Sequence, residues 1–177
     1  MIKALFGIGS KVNVEIERKF LITSKPEIKF ARSHKIRQGY VARDGGNIVR
    51  IRQQDDRYIL SVKTPAKGTG RYEIETNIGA AEARVLFDSC AQKPIEKIRE
   101  IYLIGDHVWE VDIFGGANKG LIIAEVELSS EREKVTVPSW VGPEVTGFQK
   151  FYNANLSVNP FKNWGVSYGD LAARMGG

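Results

Sequence analysis

Charged and apolar residues alternate with a period of two in seven or so stretches of the chain, beginning at Val14-Glu15-Ile16-Glu17-Arg18-Lys19-Phe20. Glu15, Glu17 and Lys19 share one face of a strand there, and Val14, Ile16 and Phe20 share the other, with Arg18 as the one break. The spacing predicts a strand over 13–22. Ser24-Lys25-Pro26 ends it, a short irregular or helical link comes next, and Ile36-Arg37-Gln38-Gly39-Tyr40-Val41 predicts the second strand. Asp44-Gly45-Gly46-Asn47 is a hairpin signal, and Ile48-Val49-Arg50-Ile51-Arg52 is the return. A symmetric loop of three residues would set Tyr40 opposite Arg50. Asp55-Asp56-Arg57 then turns the chain into a strand over 58–63, and a tight turn puts Lys63 on the face of Arg50 and Arg52.

Residues 64–70, with a proline and two glycines, read as a loop, and Arg71-Tyr72-Glu73-Ile74-Glu75 brings a second Glu-x-Glu strand. The alanine-rich stretch 80–92 predicts a helix stopped by Pro94, with Cys90 in the core. A strand from 96 climbs to the turn at Gly105-Asp106 and returns over 109–114. That turn sets Lys97 and Arg99 on the face of Glu110 and Asp112. A glycine-rich turn over 115–120 feeds 121–128, which carries the third Glu-x-Glu, Glu125 and Glu127. Residues 131–146 are mixed and interrupted by Pro138 and Pro143, and the chain from 148 onward reads as partly helical. Residues 1–12 show no period and read as an N-terminal extension, 13–165 as a single domain, and 166–177 as a tail that caps the domain or joins two copies into a homodimer.

The 177 residues suffice for one well-buried domain. The single cysteine, Cys90, excludes an internal disulfide and a thiolate metal cluster. With no apolar run long enough for a signal peptide or a membrane span, the reading is a cytoplasmic protein without a membrane partner. A net charge of +5 points to a polyanionic partner.

The distribution of charge narrows that class. Glu15, Glu17, Glu73, Glu75, Glu110, Asp112, Glu125 and Glu127 come in spaced pairs, whereas Arg50, Arg52, Lys63, Lys97 and Arg99 sit on their own strands. Segregation by strand suits a mainly β (α+β) fold: a closed barrel with a polar lumen, one wall acidic and one basic, and helices packed on its apolar outside. Paired carboxylates repel unless a cation lies between them, and Mg²⁺ or Mn²⁺ relieves that cost while leaving positions for phosphate oxygens. Arginine forks and lysines opposite supply the rest of a polyphosphate site. Structural ion pairing is the plainer account, but buried pairs seldom repay their desolvation. Nucleic acid is disfavoured, because eight acids on the same face would repel a phosphate backbone.

Glu15-Ile16-Glu17-Arg18-Lys19-Phe20-Leu21 resembles the opening signature of the CYTH superfamily, the triphosphate tunnel metalloenzymes. The likeness extends through Ile36-Arg37-Gln38-Gly39-Tyr40, Val49-Arg50-Ile51-Arg52, Ser61-Val62-Lys63, Trp109-Glu110-Val111-Asp112 and Ala124-Glu125-Val126-Glu127-Leu128 to Asn159-Pro160-Phe161. It implies an eight-stranded antiparallel tunnel with metal, Mg²⁺ or Mn²⁺, held by Glu15, Glu17, Glu125 and Glu127 with Asp112 nearby. Phosphates would be gripped by Lys19, Arg50, Arg52, Lys63, Lys97 and Arg99. A Lys-Tyr pair, matched by Lys19 and Tyr40, would position or activate water and favour inorganic tripolyphosphate, cleaved to pyrophosphate and phosphate. Class IV adenylyl cyclase and thiamine triphosphatase share the signatures, and a non-catalytic polyphosphate or nucleotide sensor is the alternative from another class.

Overall fold

The computed structural model describes residues 12–65 and 71–176, with the backbone alone for 12–15 and 71. The chain runs β1 (Val12–Ile22), β2 (Arg32–Asp44), β3 (Asn47–Gln54), β4 (Arg57–Pro65), β5 (Arg71–Ile78), α1 (Ala80–Asp88), β6 (Ile95–Ile104), β7 (His107–Phe114), β8 (Ile122–Leu128), β9 (Val141–Glu144), α2 (Asn153–Leu156) and α3 (Tyr168–Met175). Short 3₁₀ turns lie at Gly116–Asn118, Gln149–Phe151 and Phe161–Asn163. The link at 23–31 holds no helix. The predicted extension lies outside the described residues, apart from the backbone of Val12.

One antiparallel sheet of nine strands has the order β5-β4-β3-β2-β6-β7-β8-β1-β9. Its ends meet, because β5 also pairs with β1 through the four pairs Val12↔Ile74 to Glu15↔Arg71. Eight strands therefore form a circuit of pairings, and the ninth is a short addition to β1 at Phe20 and Ile22. The extra strand, Val-Gly-Pro-Glu, tolerates Pro143 because it lies at an edge with one neighbour.

Register places the chemistry. Tyr40 lies opposite Arg50 as expected, although the turn is the two residues Gly45 and Gly46, both at positive φ, and a bulge at Val41 makes up the difference. The bulge also moves the residues beyond it to the opposite face: Arg43 pairs with Ile48, on the side of Tyr40 and Arg50. Arg50 faces Ser61, and Lys63 is two residues further along that face. Arg99 faces Asp112.

Helix α1 is shorter than the predicted 80–92. It closes at Asp88, where the Ser89 hydroxyl donates to the Val85 carbonyl at 2.7 Å, so Pro94 lies well past the stop. Ala83 and Phe87 of α1 bury Ile51 on the outside of β3, and Cys90 is half-buried beside them rather than in the core. On another part of the outer surface Phe20, Tyr102, Trp109, Val111 and Val126 are covered by Trp140. Phe20 and Trp109 approach to 5.5 Å between ring centroids, and Trp109 and Trp140 to 5.9 Å, edge-on.

A separate cluster fills one end of the inner face. Leu21, Ile95, Phe114 and Ile123 lie two residues along their strands from Lys19, Lys97, Asp112 and Glu125, hence on the same face. Phe151, Leu156, Phe161 and Leu171 from the C-terminal segment pack on them. The polar interior therefore ends in an apolar floor. Among the described residues no helix is long and apolar enough to cross a membrane.

Candidate active site

Above that floor the inner face is charged and largely shut off from solvent. Lys19, Gln38, Arg50, Ser61, Lys97, Asp112 and Glu125 are all buried. Burial of so many ionised groups is stable only where each is matched by opposite charge and hydrogen bonds.

On the β1 and β8 side, Lys19 and Glu125 are direct cross-strand partners, with Nζ to Oε1 at 2.5 Å. The same ammonium reaches Glu17 at 2.8 Å. Burial works against its charge, but Glu125 and Glu17 more than offset this and hold Lys19 well above the ordinary lysine range. Glu125 is held well below the usual carboxylate range despite burial, by Lys19 first and then Arg99. The ring of Tyr152, from the C-terminal segment, lies 5.8 Å from the ammonium.

The β6 and β7 side is a tight knot. Asp112 is fully buried and takes hydrogen bonds from both Lys97 and Arg99. Arg99 continues to Glu110 and, at 3.1 Å, to Glu125. Burial and the neighbouring Arg99 pull the Lys97 ammonium down to about 8, against the opposing pull of Asp112.

Across the interior, Arg50 Nη2 lies 3.0 Å from Ser61 Oγ, 2.9 Å from Glu73 and 3.1 Å from Glu75. Arg52 donates to Glu75 at 2.8 Å, and Lys63 is 3.5 Å from Glu73. Burial and the like charges of Arg50 and Arg99 press the Arg52 guanidinium down to about 10. Its Nε is buried without a hydrogen-bond partner. Tyr40 sits beside Arg50 and also feels Lys19 and Glu125 from the far side of the circuit.

The structure thus brings Lys19, Tyr40, Arg50, Arg52, Lys63, Lys97, Arg99, Glu17, Asp112 and Glu125 onto one inner face. The expected split into an acidic and a basic wall does not hold. Carboxylates and cations are interleaved instead: Lys19 between Glu17 and Glu125, Arg99 on Asp112, and Arg50 and Lys63 on Glu73. Glu127 lies opposite Glu17 across β1 and β8 but is exposed, and the Glu15 side chain is outside the described residues. Among the described residues no three carboxylates are gathered for a metal ion. Their chemistry nonetheless fits a hard divalent cation, since the like-charged pair Glu17 and Glu127 face each other on adjacent strands and offer only oxygen donors.

Sequence reasoning gave no role to Gln38, Ser61, Arg43 or Tyr152. Gln38 and Ser61 carry a readable signal, polar residues at the inward parity of Tyr40 and Lys63. Arg43 carries none, because its orientation depends on the bulge.

Comparison with known proteins adds to this geometry. A family model described as the CYTH domain matches residues 13–153. A protein of Acetivibrio thermocellus named inorganic triphosphatase is 40% identical over 151 residues, spanning 85% of this chain and 97% of the relative. One of the same name from Nitrosomonas europaea is 32% identical over 149 residues, spanning 82% and 97%. A crystal structure of an inorganic triphosphatase superposes with a TM-score of 0.62 at 30% identity, covering 81% of this chain and 97% of its own. A blind, charged interior ringed by antiparallel strands, together with this run of matched residues, assigns the chain to the CYTH domain family.

Proposed function

We propose that the chain is an inorganic triphosphatase, a metal-dependent hydrolase that converts tripolyphosphate to pyrophosphate and phosphate within its charged interior. The observation that carries this reading is the crowding of Arg52 by Arg50 and Arg99 in a buried space. Like charges forced together away from water are relieved by a compact, multiply charged anion. A small polyphosphate has that charge density and fits a space closed at one end. The relatives named inorganic triphosphatase support the same reaction class.

In the reaction a water oxygen bonds to the terminal phosphorus and gives up a proton to the surrounding water, the bridging P–O bond breaks, and pyrophosphate leaves with the electron pair. Catalysis of such a step is chiefly positioning and charge neutralisation. Arg50, Arg52 and Lys63 would bind the phosphate oxygens from one side, and Lys97 and Arg99 would neutralise the leaving group from the other. Lys19, paired with Glu17 and Glu125, would present its ammonium to the phosphate oxygens. Asp112 orders Lys97 and Arg99. Triphosphatases of this family are generally metal-dependent, and Glu17, Glu125 and Glu127, with Glu15, would hold Mg²⁺ or Mn²⁺. The cation would supply charge neutralisation and a more acidic water.

The test is phosphate release by the purified protein with Mg²⁺ or Mn²⁺, comparing tripolyphosphate, ATP and thiamine triphosphate, each with a chelator control. We expect a large preference for tripolyphosphate that chelation abolishes. Equal turnover of all three, or turnover indifferent to chelator, would overturn the assignment.

A further inference from the structure

Gln38 is only 1% exposed and stands on the inner face of β2, its amide Nε2 donating to the Tyr40 hydroxyl oxygen at 2.8 Å. Burying a primary amide beside a charged site is costly unless its hydrogen bonds are used. Their use here constrains the phenol. A tyrosine hydroxyl has one proton to give, and its lone pairs accept. By accepting from Gln38, Tyr40 turns a lone pair toward the amide and its own O–H elsewhere. Arg50, directly opposite across β2 and β3, and Lys19, from the far side, are cations with nothing to accept that proton. Glu125, the remaining charge in reach, is already engaged by Lys19 and Arg99. Among the described residues no acceptor takes the Tyr40 proton.

We propose that Gln38 is a positioning residue whose amide turns the Tyr40 O–H into the lumen, where it donates to a phosphoryl oxygen of the bound polyphosphate. The identity of the ligand rests on the triphosphatase reading. Tyr40 is then a donor and not the base that takes a proton from water, in keeping with burial, which pushes its phenol up to about 12. Gln38 never touches the ligand. It acts by fixing which way a neighbouring proton points.

The experiment measures binding of a tripolyphosphate analogue with methylene bridges, which cannot be hydrolysed, in Mg²⁺ buffer by calorimetry. The full chain is compared with Gln38→Met, Tyr40→Phe and the double variant. Methionine keeps the length of glutamine and removes the donor. Each single change is expected to weaken binding about tenfold, and the double change no more than Tyr40→Phe alone. Losses that multiply, or a Gln38→Met protein that binds like the parent, would overturn the proposal. Gln38→Glu, which replaces the donor by an acceptor, should bind more weakly than Gln38→Met, and part of that extra loss should vanish when Tyr40→Phe is added. A ranking of melting temperatures that tracks these losses would mark a purely structural role and overturn it as well. Phosphate release from tripolyphosphate is followed in parallel. A parent that binds the analogue and shows the coupling without releasing phosphate would sink the triphosphatase reading alone, whereas release with uncoupled losses would sink the Gln38 assignment alone.

Discussion

Arg99 and Asp112 stand directly opposite each other on β6 and β7 and are joined by two hydrogen bonds, Nε to Oδ1 at 2.7 Å and Nη2 to Oδ2 at 2.6 Å. Lys97 closes on the same carboxylate, which is fully buried. Removing that carboxylate would leave two buried cations without their counter-ion. Asp112→Ala is expected to lose about 3–5 kcal/mol of stability, measured by urea unfolding, and added tripolyphosphate should restore more stability to the variant than to the parent. A variant as stable as the parent would mean that Lys97 and Arg99 find other partners at no cost.

Arg43 reaches the C-terminal segment, donating to the Ala154 carbonyl at 2.7 Å and to Asn155 Oδ1 at 2.7 Å. Those contacts tie β2 to α2, one residue past the Tyr152 ring that lies over Lys19. Arg43→Ala should cost about 1 kcal/mol, because the contacts are partly exposed, and should speed amide hydrogen exchange over 149–156 while leaving β6 and β7 protected. Unchanged exchange in that segment would show that Phe151 and Leu156 hold it unaided.

Gly39 is glycine for lack of space. A Cβ there would stand 2.6 Å from the Cys90 sulfur and 3.5 Å from Phe87. Gly39→Ala is expected to destabilise by about 1–3 kcal/mol through overpacking against α1, and Cys90→Ala in the same chain should recover most of the loss. Two losses that simply add would place the strain elsewhere.

The strands and their inward residues were legible because alternation with a period of two survives through Val49–Arg52, Leu60–Lys63, Lys97–Arg99 and Trp109–Asp112, and the turns between β2 and β3, β3 and β4, and β6 and β7 carry glycine or aspartate. The bulge at Val41 was not legible. No glycine or proline marks it, and it offset an error in the assumed hairpin loop, so Tyr40 and Arg50 still met. Strand β9 was hidden by its glycine and proline, residues that read as a break until an edge position admits them. Ion pairing was legible across the β6–β7 hairpin, where Lys97 and Arg99 meet Asp112, but not between strands distant in sequence: Lys19 finds Glu125, 106 positions away. The floor formed by Phe151, Leu156 and Phe161 could not be read, because its residues have no period of their own and are recruited by the face they cover.

Tyr168 accepts a hydrogen bond from the Ile22 amide at 2.8 Å and has the Ile22 and Ile122 carbonyls both at 3.0 Å, so its one proton bridges the ends of β1 and β8. Burial raises its phenol to about 12. A folded value above the unfolded one means that the folded chain keeps the proton longer. This contribution is therefore fully present below the ordinary tyrosine value near pH 10 and is lost as pH rises through about 12. Tyr168→Phe should lower the melting temperature at neutral pH, and the difference from the parent should shrink in alkaline unfolding. A difference that grows with pH would contradict the assignment.

The pairing of β1 with β8 has a consequence for biosynthesis. Strand β1 leaves the ribosome long before β8, and at roughly 5–20 residues per second the 106 positions between Lys19 and Glu125 take about 5–20 s to emerge. Until then β1 has only the four-pair junction with β5 to occupy it, a contact that itself requires the first 74 residues. The part of β1 from Ile16 to Leu21 thus waits as a charged edge while the β2–β5 meander forms beside it. Its charges, chosen for the finished interior, also keep the nascent strand soluble and discourage it from pairing with a neighbouring chain.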